Sequence, residues 1–162
     1  MLILNCGGTL NKRYNRINGA LEVPYDNSAI EQMLSSVKEK YGLAGLVYKD
    51  SLDMDANDRK TIANIITESE DDKFLIVHGT DTINLTAEFL FEVIDAQKCI
   101  VLTGSMQPFC IDKIEASLNI GMALGFLTTT DKSGVYICMS GYIKPFEQII
   151  KNKTLGKFEI VK

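Results

Sequence analysis

The sequence holds one histidine, no tryptophan and three prolines, and no apolar run approaches the ~18 residues a membrane-crossing helix needs. Its four cysteines, Cys6, Cys99, Cys110 and Cys138, form no Cys-x-x-Cys pair. With a single histidine beside them they make a poor zinc set, and no metal is expected. There is no excess of positive charge: 17 Lys+Arg stand against 21 Asp+Glu, a formal net charge of −4. A weakly acidic chain has no broad electrostatic attraction for phosphate backbones or anionic lipid, so neither nucleic acid nor a membrane is an expected partner. No Gly-x-x-x-x-Gly-Lys-[Ser/Thr] occurs, and Gly7-Gly8-Thr9 lacks the Gly-x-Gly-x-x-Gly spacing, so no nucleotide cofactor is expected. The start shows no basic segment leading into a long apolar one, and Cys6, Cys99 and Cys138 sit in or beside apolar runs. Together these features predict a soluble, reduced, cytoplasmic protein.

What is present is a globular composition, 46% hydrophobic and 23% charged, in 162 residues, enough for one domain spanning 1–162. Short apolar runs recur at Leu2–Leu4, Leu43–Tyr48, Phe74–Val77, Cys99–Leu102 and Val135–Cys138. Continuous rather than alternating apolarity predicts strands buried on both faces. Helix-length segments lie between them. Asn27 or Ser28 heads a pattern with Ile30, Met33, Leu34 and Val37, and Asp55 or Asn57 heads one with Ile62, Ile65 and Ile66. Asn84–Asp95 places Leu85, Phe89, Leu90 and Val93 on one stripe, and Asp112–Leu127 does so with Ile114, Leu118, Met122 and Phe126. Strand and helix in alternation predict an α/β fold, a three-layer α/β/α arrangement around a mostly parallel, flavodoxin-like sheet. Leu10–Tyr25 interrupts the alternation with a polar stretch, read as an irregular hairpin or mobile flap. Lys144–Lys162 reads as a strand-like or irregular closing segment.

The chemistry collects after the strands. Gly7-Gly8-Thr9 follows the first, Asp50-Ser51-Leu52-Asp53 the second, His78-Gly79-Thr80-Asp81-Thr82 the third and Thr103-Gly104-Ser105 the fourth. Open parallel sheets bind ligands at the carboxyl ends of their strands. Each motif alone has a plainer reading: a tight turn at Gly7-Gly8, a helix cap at Thr80-Asp81, solvated caps at Asp53, Asp55 and Asp58, a hydrogen-bonded structural histidine at His78. A Ser-His-Asp triad through His78 lacks a Gly-x-Ser-x-Gly elbow. A threonine hydroxyl needs a base, and lysine oriented by a carboxylate is one way to provide it, which points to acyl transfer on an amide.

In this order and spacing the motifs resemble the bacterial-type L-asparaginases, specifically their larger N-terminal domain. The resemblance is carried by Gly7–Leu10, Asp50–Met54, His78–Thr82, Leu102–Pro108 and Asp112–Asn119, nearly the whole chain. It implies that Thr9 is the nucleophile and Thr80 the second threonine. It further implies that Asp81 holds the substrate's α-amino group and Ser51 its α-carboxylate, and that backbone near Ser105 faces the amide. Lys151 falls, by spacing from Met139, where the family places a catalytic lysine. The implied reaction is hydrolysis of L-asparagine to L-aspartate and ammonia, without cofactor, in a homodimer. Three departures stand out. Leu52 replaces a glutamine or serine. Ala20 or Leu21 stands where the family has a flap tyrosine, leaving Tyr14 or Tyr25 as replacements. The family's smaller C-terminal domain is expected to be absent. These departures motivate two alternatives: a non-catalytic binder of aspartate or asparagine, and one half of a split enzyme that needs a partner chain.

Overall fold

A computed structural model describes residues 1–161. Its main sheet has six strands in the order β4-β1-β5-β6-β7-β8. They are β1 (Leu2–Gly7), β4 (Gly42–Lys49), β5 (Lys73–Val77), β6 (Cys99–Thr103), β7 (Gly134–Met139) and β8 (Tyr142–Pro145). The first five run parallel and β8 returns antiparallel along β7. Two small sheets stand apart: β2 (Arg13–Tyr14) with β3 (Leu21–Glu22), and β9 (Ile149–Asn152) with β10 (Lys157–Ile160).

Four of the five apolar runs are largely buried because helices cover both faces, whereas Leu43–Tyr48, on the edge strand β4, is only half-buried. Along each strand successive side chains alternate between the layers. Leu4, Phe74, Ile76, Ile100, Leu102, Val135 and Ile137 join the core under α2 (Ala56–Glu68) and α3 (Ile83–Val93). Ile3, Leu75, Val77, Val101 and Cys138 join the core under α1 (Ser28–Leu34) and α4 (Lys113–Thr129). Asp55 starts α2 through a capping box, accepting from the Asn57 and Asp58 N–H groups while Asp58 accepts from its own. Cys6, Cys99 and Cys138 are buried free thiols, and burial pushes Cys6 up and Cys138 up to about 12. No helix among the described residues is long and apolar enough to cross a membrane.

The α/β class and strand positions agree with the sequence reading, but three helix details do not. Helix α1 ends at Leu34, leaving Val37 outside it and partly exposed. On α3 the inward residues are Ile83, Thr86, Ala87 and Leu90, while Leu85 and Val93 face outward. On α4 they are Ala116, Asn119, Ile120, Ala123, Leu124 and Leu127, while Ile114 and Leu118 are exposed. Both helices carry apolar residues nearly all round, so small inward residues that let helix and sheet approach closely were hidden by larger outward ones. Of the closing segment Lys144–Lys162, residues 144–160 form the end of β8, a 3₁₀ turn and the β9–β10 hairpin, and Lys162 lies outside the described residues.

The chain leaves β1 for β4 on one side and later crosses to β5 on the other. The crevice between the carboxyl ends of β1 and β5 is thus the switch point where such sheets bind ligands.

Candidate active site

Two glycines let the turns after β1 and β5 touch. Gly8 has φ +77°, and a β-carbon on it would stand 2.4 Å from the Gly79 Cα. Gly79 in turn lies against Ser51, whose Oγ would be 2.6 Å from a β-carbon at that position. Residues after β1, β4 and β5 are therefore held at closest backbone approach. Thr9 and Thr80, each one residue further on, flank the same crevice.

The turn holding Thr9 is a short 3₁₀ helix, Thr9–Asn11, anchored from beneath by amides. Buried Asn5 accepts from the Gly7 N–H (3.0 Å) and from Asn11 Nδ2 (2.9 Å), and donates to Asn27 Oδ1 (2.9 Å). Asn11 Nδ2 also donates to the Gly7 carbonyl at 2.7 Å. This network escaped the sequence reading because asparagines in turn-rich stretches read as surface. Asn5 inside an apolar strand was the available signal.

Lys151 Nζ donates to Thr80 Oγ1 at 2.8 Å and to Asp81 Oδ1 at 2.9 Å. Thr80 is buried and Asp81 half-buried. The Asp81 N–H donates to Ser51 Oγ (3.2 Å), and Thr82 Oγ1 donates to the Ser51 carbonyl (2.7 Å). The helix-cap reading of Thr80-Asp81 is thereby replaced: Thr82 is the N-cap residue of α3, and Thr80 and Asp81 turn to Lys151 instead. Ser105 is buried at the end of β6, its hydroxyl donating to the Gln107 carbonyl. Asn119 on α4 donates to the Gly104 carbonyl at 2.9 Å and braces that end. A lone polar residue on the inward stripe of α4 was its only mark in the sequence. Thr9, Ser51, Thr80, Asp81, Ser105 and Lys151 thus all lie on the carboxyl edge of the sheet, although Lys151 contacts Thr80 and Asp81 rather than Thr9.

A second ion pair, Lys12 Nζ to Asp50 Oδ2 at 2.6 Å, stands at the crevice. Burial pushes the Asp50 carboxyl up. The Lys12 and Leu52 N–H bonds, with the charges of Lys12 and Lys151, outweigh this and hold it below the usual range. Tyr25, Tyr48, Leu52, Lys12 and Asp50 line a groove of about 480 Å³ beside the β2–β3 hairpin. Tyr25 stands edge-on to Tyr48, ring centroids 5.8 Å apart, and the Tyr14 hydroxyl rests over Gly19. Both candidate replacement tyrosines thus face partners other than Thr9.

His78 is fully buried and structural. Its Nδ1–H donates to the Gly79 carbonyl (2.8 Å), so its Nε2 accepts from Thr86 Oγ1 (2.9 Å), which in turn accepts from Arg59 Nε (3.2 Å). Burial is the main force holding its pKa down to about 4. The Gly79 bond opposes that shift and the Arg59 charge adds to it. Among the described residues no group of three or more His, Cys, Asp or Glu is arranged to hold a metal ion.

A family model described as asparaginase, N-terminal, matches residues 1–157. The chain belongs to the asparaginase family. It is 29% identical over 156 residues to a glutaminase-asparaginase of Pseudomonas aeruginosa, covering 88% of this chain and 42% of that protein. It is also 29% identical over 148 residues to a glutamyl-tRNA(Gln) amidotransferase subunit of Thermococcus kodakarensis, covering 86% of this chain and 33% of that one. Among solved structures, the thermostable L-asparaginase of Thermococcus kodakarensis superposes with a TM-score of 0.84 at 26% identity, over 99% of this chain and 50% of that chain. The chain spans less than half the length of these curated asparaginase-family relatives.

Proposed function

We propose that this asparaginase-family chain is an amidohydrolase that converts L-asparagine to L-aspartate and ammonia through a threonine nucleophile. The observation that carries the reading is the contact of Lys151 Nζ with both Thr80 Oγ1 and Asp81 Oδ1, at 2.8 and 2.9 Å. In the proposed step Thr9 Oγ attacks the amide carbon, forming a C–O bond. Its proton passes through Thr80 and the Lys151–Asp81 pair to the amide nitrogen, which leaves as ammonia when the C–N bond breaks. Water then attacks the aspartyl ester, releasing aspartate and restoring the Thr9 hydroxyl. Thr9 is taken as the attacking group because it is half-buried, whereas Thr80 is buried under Lys151. Ser51 and Asp81 bind the α-carboxylate and α-ammonium, and the backbone at Ser105 faces the amide. No cofactor enters this scheme. We place the protein in the cytoplasm as a homodimer, a reading that fits its four unpaired cysteines and its exposed apolar residues on α3 and α4.

Two observations favour a second reading. Neither Tyr14 nor Tyr25 is turned to Thr9, and Leu52, 68% exposed, offers no polar group to a ligand. A chain so arranged binds aspartate or asparagine without turnover, or turns over only with a partner chain, as the likeness to an amidotransferase subunit suggests. Ammonia release from asparagine and glutamine by the purified 162-residue chain, with Thr9→Ala and Thr80→Ala beside it, separates these readings. Release that survives both substitutions removes the threonine mechanism. Calorimetric aspartate binding without release assigns the binder.

A further inference from the structure

Lys151 reaches Thr80 and Asp81 from an element outside the main sheet. Among the described residues β9 and β10 pair only with each other, so the place of the Lys151 amine depends on how that hairpin is fastened. Ile149 and Phe158 bury their side chains in the core under α2 and α3, an attraction with no directional preference. The Phe158 N–H donates to Ser140 Oγ at 3.3 Å, but this holds the far strand. The directional link to the strand bearing Lys151 is Asn84. Its Nδ2 donates to the Ile149 carbonyl at 2.7 Å and to the Phe146 carbonyl at 3.4 Å. Both partners are carbonyl oxygens, which settles the nitrogen side of the amide.

The placement makes this link specific to the site. Asn84 lies in the first turn of α3, two residues after Thr82, the last of the Thr80-Asp81-Thr82 segment. Ile149 precedes Lys151 by two positions on β9, so their side chains share a face of the strand. Ile149 is fully buried and Ile150 between them is 52% exposed, as that alternation requires. One amide therefore ties the segment that presents Thr80 and Asp81 to the strand that presents Lys151.

We propose that Asn84 is a positioning residue that fixes Lys151 within reach of Thr80 and Asp81. It contacts no substrate. The proposal rests on the role of Lys151 in the reaction above, but the tether itself can be measured without turnover. Aspartate at this position has the same shape with no N–H to donate and sets a carboxylate against two carbonyls. Glutamine keeps the donors on a longer arm.

The test uses the 162-residue chain with Asn84→Asp, Asn84→Gln, Lys151→Met and the Asn84→Asp/Lys151→Met double variant, each corrected for folded fraction. Asn84→Asp is expected to lower kcat about 10- to 100-fold with KM almost unchanged, the scale expected when a reacting group is misplaced. Asn84→Gln recovers most of the loss. In the Lys151→Met background Asn84→Asp costs nothing further, which a general structural role would not produce. Wild-type kcat in Asn84→Asp, or an equal loss in both backgrounds, overturns the proposal. A second measurement does not need turnover. The side chain of Lys151 is only 12% exposed, and its acetylation by an amine-reactive ester, read by peptide mass spectrometry against exposed Lys38, is expected to rise several-fold in Asn84→Asp. An unchanged ratio overturns the tether. If wild type releases no ammonia the catalytic reading fails, and this ratio still decides whether Asn84 holds Lys151. Should Asn84→Asp not fold, Asn84→Ala makes the same comparison without adding charge.

Discussion

The Lys151 amine stands 2.8 Å from the Thr80 hydroxyl across 71 residues of chain, joining a peripheral hairpin to the end of a central strand. Thr80 is buried and receives this donor directly. In the proposed reaction Thr80 is a relay between the amine and Thr9. A relay works only when both of its ends are occupied, so removing either partner should cost nearly as much as removing both.

Thr80→Val keeps the shape of the side chain and deletes the hydroxyl. It is expected to lower kcat by about 100- to 10,000-fold, the range for losing a positioned acid–base group, while KM changes little. Thr80→Ser keeps the hydroxyl and should retain most of the activity. Lys151→Met should match Thr80→Val, and the double variant should be little worse than either. Steady-state ammonia release measures all four. Full additivity of the two losses would show that the groups act separately.

His78 sets a distinct pH dependence of stability. Its folded pKa of about 4 lies below the 6.5 of the free side chain. The unfolded chain therefore binds more protons between these values, and folding stability falls as pH drops through that window. The stabilisation is complete above about pH 6.5 and lost towards pH 4, with a size on the order of 3 kcal/mol for so buried a group. Carboxylates with depressed pKa, such as Asp50 and Asp71, lose their contributions only as pH falls below the ordinary carboxylate range. Urea midpoints from pH 8 to pH 4.5 should decline in wild type. In His78→Gln the curve should start lower and run flatter over the same interval. A parallel decline in both would place the dependence elsewhere.

The strand ends were legible because chemistry-bearing residues follow apolar runs there, and a parallel sheet brings those ends together. Thr9, Ser51, Thr80, Asp81 and Ser105 could be collected that way. Lys151 could be located only by spacing, since it sits on a hairpin that obeys no sheet periodicity. Asn5, Asn11, Asn84 and Asn119 were not legible as functional supports. Each is defined by a partner distant in the chain, and a lone asparagine reads the same whether it caps a turn or braces a catalytic loop. The helix faces failed for another reason. When apolar residues surround a helix, period alone does not say which side meets the sheet.

α4 offers a direct check of the corrected face. Ile114 and Leu118 are 72% and 59% exposed, while Ile120 and Leu127 are 2% and 0% exposed. Ile120→Ala and Leu127→Ala are each expected to cost about 2–5 kcal/mol through lost burial and the cavity left behind. Ile114→Ser and Leu118→Ser should change stability by less than about 0.5 kcal/mol in the monomer, as exposed substitutions do. Urea denaturation at low protein concentration makes the comparison. A large loss at Ile114 or Leu118 that grows with protein concentration would show that a second chain covers this face.

The last prediction concerns the polar segment after Thr9, which has two unequal parts. Leu10 and Asn11 are buried, and the Phe109 N–H donates to the Leu10 carbonyl at 3.0 Å, so Leu10–Lys12 is fastened to the body. From Arg13 onward the chain forms a hairpin with strands of two residues each, held within itself by bonds such as Asn15 Nδ2 to Glu22 Oε2 at 2.7 Å and tied to the start of α1 by the exposed bonds of Arg13 to Asp26 and Ser28. Little apolar surface is buried there, so opening costs little. Hydrogen exchange should therefore be fast in residues 13–25 without ligand and slower with aspartate, with Leu10–Lys12 protected in both states. Tyr25 and Tyr14 differ in what closure could do for them. Tyr25 lines the groove beside Lys12 and Asp50, and only its edge contact with Tyr48 has to break for it to swing. Tyr14 lies on the hairpin's other side, among Arg13, Arg16 and Pro24. Tyr25→Phe should then lower kcat about tenfold, towards the small end of what a positioned hydroxyl contributes, while Tyr14→Phe leaves it unchanged. Equal activity in both variants would mean that Thr9 relies on the Thr80–Lys151 relay alone, and identical exchange with and without aspartate would remove closure from the mechanism.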